Sequence, residues 1–141
     1  MRIAAACCML LSACAHPVRE GRFFVHPEVG SAPEGLETGV QAAVHDQAVR
    51  AGRTHGWIDS EDPSSAFVTL TFRWSREGAV NSDRVRLICA WKDARGGQGE
   101  MTDGLAMPAG FWTPTRAGDA SERLCGAVLI SLRAAGRGRA R

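Results

Sequence analysis

Two central segments of the chain alternate between apolar and polar residues, which is the pattern of β-strands with one buried face. The first covers residues 66–75 and the second residues 84–92, with a short polar stretch between them. Two alternating runs joined by a short loop are typical of an antiparallel hairpin. The apolar face predicted for the hairpin comprises Ala66, Val68, Leu70, Phe72 and Trp74 on the first strand, and Val85, Leu87, Cys89 and Trp91 on the second.

Two other segments repeat apolar residues at helical spacing. Residues 32–51 predict an amphipathic helix in which Ser31 and Glu34 form a capping box at the start. Gly39 lies inside this helix, and Gly52 supplies the left-handed residue after it. Residues 120–135 predict a second helix that Gly136 ends. The apolar faces comprise Leu36, Val40, Ala43, Val44 and Ala48 in the first helix, and Leu124, Cys125, Val128, Leu129 and Leu132 in the second.

The remaining segments give weaker patterns. Residues 22–26 predict a short strand. Residues 105–112 predict a weaker third strand, and Pro108 makes it either an edge strand or an irregular segment, because proline cannot donate to a ladder. Residues 94–104 are rich in glycine and predict a mobile loop. Together these elements predict an α+β fold, in which a small antiparallel sheet of three to four strands carries two helices on one face, as two layers.

The N-terminus has the layout of a secretory signal, with one arginine followed by an apolar run and then small residues. The run ends in Leu11-Ser12-Ala13-Cys14. This tetrapeptide resembles the lipobox of bacterial lipoproteins. The resemblance implies cleavage before Cys14, a diacylglycerol on its sulfur and an acyl chain such as palmitate on its amine. Two or more chains would hold the protein stably on a bilayer.

The same resemblance implies a location in the bacterial cell envelope. Ala15 after the cysteine favours the outer membrane, on its periplasmic face, by analogy with enterobacterial sorting. The chain then divides into a signal peptide (1–13), a stem (14–30), one α+β domain (31–136) and a basic tail (137–141). A short buried helix at a true N-terminus is the alternative, although Ile3 to Leu11 lacks helical polarity.

Two cysteines, Cys89 and Cys125, remain after the predicted cleavage. An even pair in an exported protein predicts a disulfide. It would connect the inner face of a strand to the apolar face of the last helix. The cysteines and histidines lack the spacing of a metal site, so we expect no metal and no cofactor.

Composition and hydropathy argue against two classes of protein, nucleic-acid binders and membrane-spanning proteins. The chain has 17 Lys and Arg against 15 Asp and Glu, a net charge of +2. Nucleic-acid binding therefore has no support, because such proteins concentrate basic charge. No apolar run approaches the roughly 20 residues of a membrane-spanning helix.

The sequence also lacks the spacings of histidine, acidic and glycine residues that are typical of catalytic or ligand-binding motifs. The four histidines lie apart, and although Asp46 follows His45, neighbours on a helix point in different directions. Asp59, Glu61 and Asp62 match only a fragment of a calcium loop. The glycines at 96, 97 and 99 lack the ending of a phosphate-binding loop. We therefore expect no enzymatic activity. An enzyme acting on cell-wall glycan or peptide would need two facing carboxylates, and the loosely grouped acids are Glu61, Asp62 and Glu100.

Two features suggest contact with a partner. Arg73, Arg84 and Arg86 share the outer face of the hairpin, and they form either a surface for an acidic partner or an ordinary solvated face. Trp112 follows Phe111 next to Gly110 and is either exposed for a partner or buried under the last helix. The arginines at the C-terminus can likewise touch an anionic surface or remain solvated.

These observations support two functions from different classes. The first is a lipid-anchored envelope protein with a small non-enzymatic binding or scaffolding domain, an accessory part of an envelope assembly. The alternative is an inhibitor or immunity-type protein that blocks an envelope hydrolase with the loop of residues 96–104.

Overall fold

The computed structural model describes residues 19–78 and 82–139. These residues form an α+β fold with two helices and a mixed sheet. The strands are β1 (Arg19–Val25), β2 (Ile58–Asp59), β3 (Ala66–Arg76), β4 (Arg84–Asp93), β5 (Gln98–Thr102) and β6 (Met107–Pro108), and the helices are α1 (Val40–Thr54) and α2 (Pro114–Arg139). The α+β class and the two helices agree with the sequence prediction.

The predicted hairpin is confirmed. β3 and β4 pair antiparallel, with Phe72 opposite Cys89 and Leu70 opposite Trp91. The predicted apolar face is the buried one: along β3, every second residue from Ala66 to Trp74 is buried. Alternation locates this hairpin because successive strand residues point to opposite faces, and only one face meets the helices.

The prediction of a purely antiparallel sheet of three to four strands is wrong, because the sheet is mixed and has more strands; β3, β4, β5 and β6 do pair antiparallel. Within residues 19–78 and 82–139 the sheet has six strands: five follow the order β2-β1-β3-β4-β5, and β6 pairs with β4. β1 runs parallel to both of its neighbours, with Phe23 opposite Val68. Phe23 is fully buried. Residues 19–25 of the predicted stem therefore belong to the sheet, since β1 lies between two other strands.

The first helix begins later than predicted. α1 starts at Val40, and the residue before it, Gly39, has a left-handed φ of 91°. Ser31, the predicted cap, has a φ of 59° and lies outside the helix. A left-handed residue interrupts helical hydrogen bonding, so the apolar repeat before Val40 does not produce helix. At the other end, Gly52 lies inside α1 and packs against the Phe23 ring.

Three further boundaries differ from the sequence prediction. Part of the predicted mobile loop forms β5, which pairs with β4 and includes Glu100 opposite Ala90. The predicted strand at 105–112 is reduced to two residues of β6 followed by a 3₁₀ turn, Ala109–Phe111. The last helix begins at Pro114, where proline needs no amide partner, and passes Gly136 to end at Arg139.

Both helices pack on one face of the sheet, as predicted, and on each other. The Ser121 hydroxyl donates to the carbonyl oxygen of Val44, which is buried between the helices. Apolar side chains from both layers fill the remaining space, and the largest fully buried ones are Phe23, Phe72, Leu70, Leu87 and Leu129. Neither helix in the described ranges is both long and apolar enough to cross a membrane.

Candidate binding surface

The outer face of β3, β4 and β5 carries no helix among the described residues. The strand period that buries Leu70 and Phe72 against the helices turns their neighbours Thr71 and Arg73 to this outer side. Most of its side chains are polar or charged, including Thr69, Thr71, Arg73, Arg86, Lys92, Gln98 and Glu100. We call these seven residues the outer face.

The arginines predicted on the hairpin do not form a cluster of unpaired charge. Arg73 donates to Glu100 on β5 at 2.7 Å, and Arg86 pairs with Glu77 at the end of the hairpin. Arg84 is exposed and has no ionic partner in the described part of the chain. Exposed ion pairs contribute about 0–1 kcal/mol to stability, so these pairs mainly fix the orientation of the guanidinium groups.

A shallow, open hollow of about 480 Å³ lies along these strands. Its lining mixes hydroxyl, amide, ammonium and carboxylate groups on Thr69, Thr71, Lys92, Gln98 and Glu100. These groups donate and accept hydrogen bonds in a fixed array, because each stands on a paired strand. The contribution of β5 was not predicted from the sequence, although polar residues alternate with small or apolar ones from Gln98 to Thr102.

Trp112 is buried, whereas its sequence context allowed either burial under the last helix or exposure to a partner. The side chain is 4% exposed, and its indole N–H donates to the carbonyl oxygen of Val85 at 3.1 Å. Its ring meets Trp74 edge to face at 5.2 Å. Trp112 is therefore a core residue, and it is not available to a partner. Phe111 is half-buried, with the Arg116 guanidinium 4.4 Å above its ring.

A second hollow, of about 550 Å³, lies beside α1 and the end of β1. Nδ1 of His45 lies 3.2 Å from Oδ1 of Asp46, so the expectation that these neighbours point apart is wrong. Ser60 also lines this hollow. Its hydroxyl, however, donates to the carbonyl oxygen of Asp62 at 2.9 Å and lies 2.6 Å from Oγ of Ser65. His45 and Asp46 are therefore hydrogen-bonded to each other, whereas the hydroxyl of Ser60 is engaged by Asp62 and Ser65.

The two domain cysteines are free thiols in this structure, and both are fully buried. Sγ of Cys125 donates to the carbonyl oxygen of Ala48 at 3.2 Å. Burial raises the pKa of both thiols, that of Cys125 to about 12, because a thiolate would lose its hydration. The Cys125 charge raises the pKa of Cys89 further. The disulfide between them stays a prediction.

The remaining predicted sites are a metal site, the lipidated cysteine and the inhibitory loop. Among the described residues, no three His, Cys, Asp or Glu side chains group in a way that holds a metal ion. Cys14, the predicted lipidation site, lies outside the described residues. The glycine-rich segment proposed as an inhibitory loop is held by Asp93, whose carboxylate accepts the amides of Arg95 and Gly97 at 2.8 and 2.9 Å.

Comparisons with known proteins identify no family for this chain. No family model matches the sequence, and no curated protein matches it. Two solved structures of PelC dodecamers from Paraburkholderia phytofirmans are among the structures to which this chain is similar. One, of a PelC variant, is 14% identical with a TM-score of 0.43 and covers 77% of this chain and 88% of that chain. The other is 14% identical with a TM-score of 0.38 and covers 82% and 90%. Both similarities are too weak to assign a family or a function.

Proposed function

We propose that this protein is a lipid-anchored envelope protein whose small, non-enzymatic domain binds another envelope component through its outer face. The observation that carries the anchor is the lipobox-like Leu11-Ser12-Ala13-Cys14 after an apolar run. The outer membrane, on its periplasmic side, is the favoured location. Lipid chains on Cys14 would concentrate the domain at the membrane surface.

The outer face supports the binding part of this proposal. Both helices cover the opposite face of the sheet, and the hollow on this side presents donors and acceptors from three adjacent strands. The ion pair between Arg73 and Glu100 holds both charged groups in place before a partner arrives. Groups that are already oriented lose less conformational entropy on binding, which favours a specific polar contact.

The anchor is tested by replacing the lipidated cysteine. The variant Cys14→Ser should leave the membrane fraction and lose the mass of the acyl chains. Cys8→Ser is the matched control, because it changes a cysteine of the same predicted leader without touching the lipobox. A Cys14→Ser protein that still fractionates with membranes, with the control unchanged, overturns the anchor.

The binding face is tested by photo-crosslinking in intact cells. A crosslinking residue replaces Thr71, an exposed position of the outer face, or Ala42, an exposed position on α1. We expect a discrete crosslinked product from position 71 and none from position 42. Products from position 42 alone would place the partner on the helical layer and refute the assignment of the outer face.

The identity of the crosslinked protein separates the two candidate functions. Subunits of a larger assembly support the scaffolding role. A single hydrolase recovered in equal amount supports the alternative, an inhibitor or immunity-type protein. The alternative would now depend on a strand and not on a free loop, because the segment expected to enter an active site includes β5, which is paired with β4.

A further inference from the structure

Within residues 19–78 and 82–139, one long edge of the sheet is unprotected. β5 is the last strand in the order, and its far side has no paired strand in these ranges. The other edge strands, β2 and β6, have two residues each, and β6 includes a proline. Short strands and prolines prevent a sheet edge from pairing with another chain. β5 has five residues, contains no proline and pairs with β4 in a regular register.

The pairing with β4 determines which main-chain groups of β5 are free. The amide of Asp93 donates to the carbonyl oxygen of Gly97 at 2.8 Å, in the turn that joins the two strands. Bonded positions recur at every second residue of an antiparallel ladder, so Gly99 and Met101 bond to β4. The alternate residues therefore turn their amides and carbonyls away from the sheet. These residues are Gln98, Glu100 and Thr102, and all of them are exposed.

α2 runs beside this edge on the inner side of the sheet. Nε of Arg123 donates to Oδ2 of Asp103, the residue after β5, at 2.7 Å. Further along α2, Arg133 lies 5.2 Å from the ring of Trp57, which stacks with Phe67 at the end of the sheet where β5 begins. The helix thus follows β5 from its last residue towards its first.

The side of α2 next to the edge exposes an apolar residue. Ile130 follows Arg123 by two helical turns, so it lies on the same side of α2, about 10 Å further along the axis. Its side chain is 55% exposed, which few large apolar residues in the described ranges are. Met101 and Trp91 are half-buried on the same inner side of the sheet. The free main-chain groups and this apolar flank together form a groove, which we call the β5 groove.

The outer side of the same edge has a cation without an ionic partner. Lys92 lies directly opposite Gln98 in the ladder. It is exposed and forms no ion pair within the described ranges, whereas Glu100 is already paired with Arg73. A glutamate on a strand added beside Gln98 would be the complementary group, because opposite charges on neighbouring strands attract.

We propose that the β5 groove binds an extended segment of a partner protein, which adds to the sheet as a further strand. The segment alternates apolar residues, which cover Met101 and Ile130, with polar residues on the outer side, and it places a glutamate near Lys92. Main-chain hydrogen bonds supply affinity, and the alternation selects the sequence. This contact goes beyond the proposed function, because it relies mainly on main-chain groups that neither the anchor nor the hollow of the outer face uses.

A second copy of this chain fits the β5 groove less well. Its own β5 would turn Gly99 and Met101 to the inner side, and Gly99 has no side chain that could cover Ile130. The central antiparallel register would also place Glu100 opposite Glu100 of the other copy, where like charges repel. A segment with valine or isoleucine at its inward positions has neither defect.

The test measures binding of synthetic peptides to the full-length purified protein by fluorescence anisotropy. The probe is Thr-Val-Thr-Val-Glu-Val-Thr-Val-Thr with both ends blocked. The control, Thr-Thr-Val-Val-Glu-Val-Val-Thr-Thr, has the same composition without the alternation. We expect the probe to bind about tenfold more tightly, because only its valines all face the inner side. Equal binding of the two peptides overturns the inference.

Variants of the edge identify the groups responsible. Thr102→Pro removes an outward amide and leaves the bonds between β5 and β4 in place, whereas Thr102→Ala keeps that amide. We expect the first to weaken probe binding by about tenfold and the second to change it little. Gln98→Pro removes another outward amide and replaces Thr102→Pro if thermal unfolding shows that this variant does not fold. Retained binding by a folded proline variant contradicts strand addition.

Two side-chain variants test the flanks of the groove. Ile130→Ser should weaken binding of the probe by about fivefold through lost apolar contact. Lys92→Gln should weaken binding of the probe but not of a version with glutamine in place of its glutamate. If neither variant changes the affinity, the proposed chemistry of the segment is wrong.

Other outcomes would assign the edge or the peptide differently. A dimer in sedimentation that Thr102→Pro dissociates would assign the edge to a second copy and overturn the inference. Loss of probe binding in Thr71→Arg, with binding by Thr102→Pro unchanged, would move the contact to the outer face and support the proposed function alone. Probe binding that depends on the edge, without a crosslinked product from position 71, would refute only the outer face.

Discussion

The two buried thiols predict an unusual loss of stability at alkaline pH when the protein is reduced. Cys89 and Cys125 are fully buried, and their pKa values are raised from an ordinary value of 9.0. In the unfolded chain both thiols ionise near that ordinary value. The folded state therefore holds more protons than the unfolded state above pH 9, and the free energy of unfolding falls as pH rises.

The magnitude follows from the two titrations. At pH 10, ionisation of an unfolded thiol with a pKa of 9.0 stabilises the unfolded state by about 1.4 kcal/mol. Ionisation of both unfolded thiols should therefore lower the free energy of unfolding at pH 10 by about 2.7 kcal/mol relative to pH 8. The stability that the two protonated, buried thiols contribute is fully present below pH 9. It is lost as the pH rises towards the raised pKa of the folded state, which for Cys125 is about 12. The chain has no tyrosine that would titrate in the same range.

The assay is denaturant unfolding between pH 8 and 10 with a thiol reductant present. The control is the double variant Cys89→Ala and Cys125→Ala, whose stability should change little over the same range. A reduced wild-type protein with the same pH dependence as this control would refute the reasoning. Without reductant, a disulfide would abolish the alkaline loss and add about 4 kcal/mol by closing a 36-residue loop, so the same experiment tests the predicted bond.

Two core contacts give further predictions. Gly52→Ala should destabilise the protein by about 1–2 kcal/mol, because the added methyl overlaps the buried Phe23 ring and this overpacking exceeds the gain in helix propensity. Gly126→Ala is the control, since its added methyl would meet the exposed ring of His55, which can move. A Gly52→Ala protein with a urea midpoint at or above that of wild type would contradict the close packing of Gly52 against Phe23. Trp112→Phe should lower the free energy of unfolding in urea by about 2 kcal/mol, because the Val85 carbonyl would lose its indole donor. An unchanged urea midpoint would contradict the burial of Trp112.

The sequence by itself determined the elements whose pattern is local. The β3–β4 hairpin follows from strict alternation, and the apolar face of α2 around Leu124 and Val128 follows from helical spacing. The α+β class and the helical layer on one face of the sheet followed from these elements. The outer position of Arg73 and Arg86 was also predictable, because it depends only on the strand period.

Tertiary structure decided the features that depend on residues far apart in the chain. β1 is a short strand whose register with β3 shifts between Arg19 and Phe23, and its place depends on parallel pairing with this strand more than forty residues later. The close approach of Gly52 and Phe23, the burial of Trp112 and the pairing of Arg73 with Glu100 are likewise contacts between separate elements. Periodicity reports which side of a segment is apolar, whereas the partner that covers it is selected by packing of the whole chain.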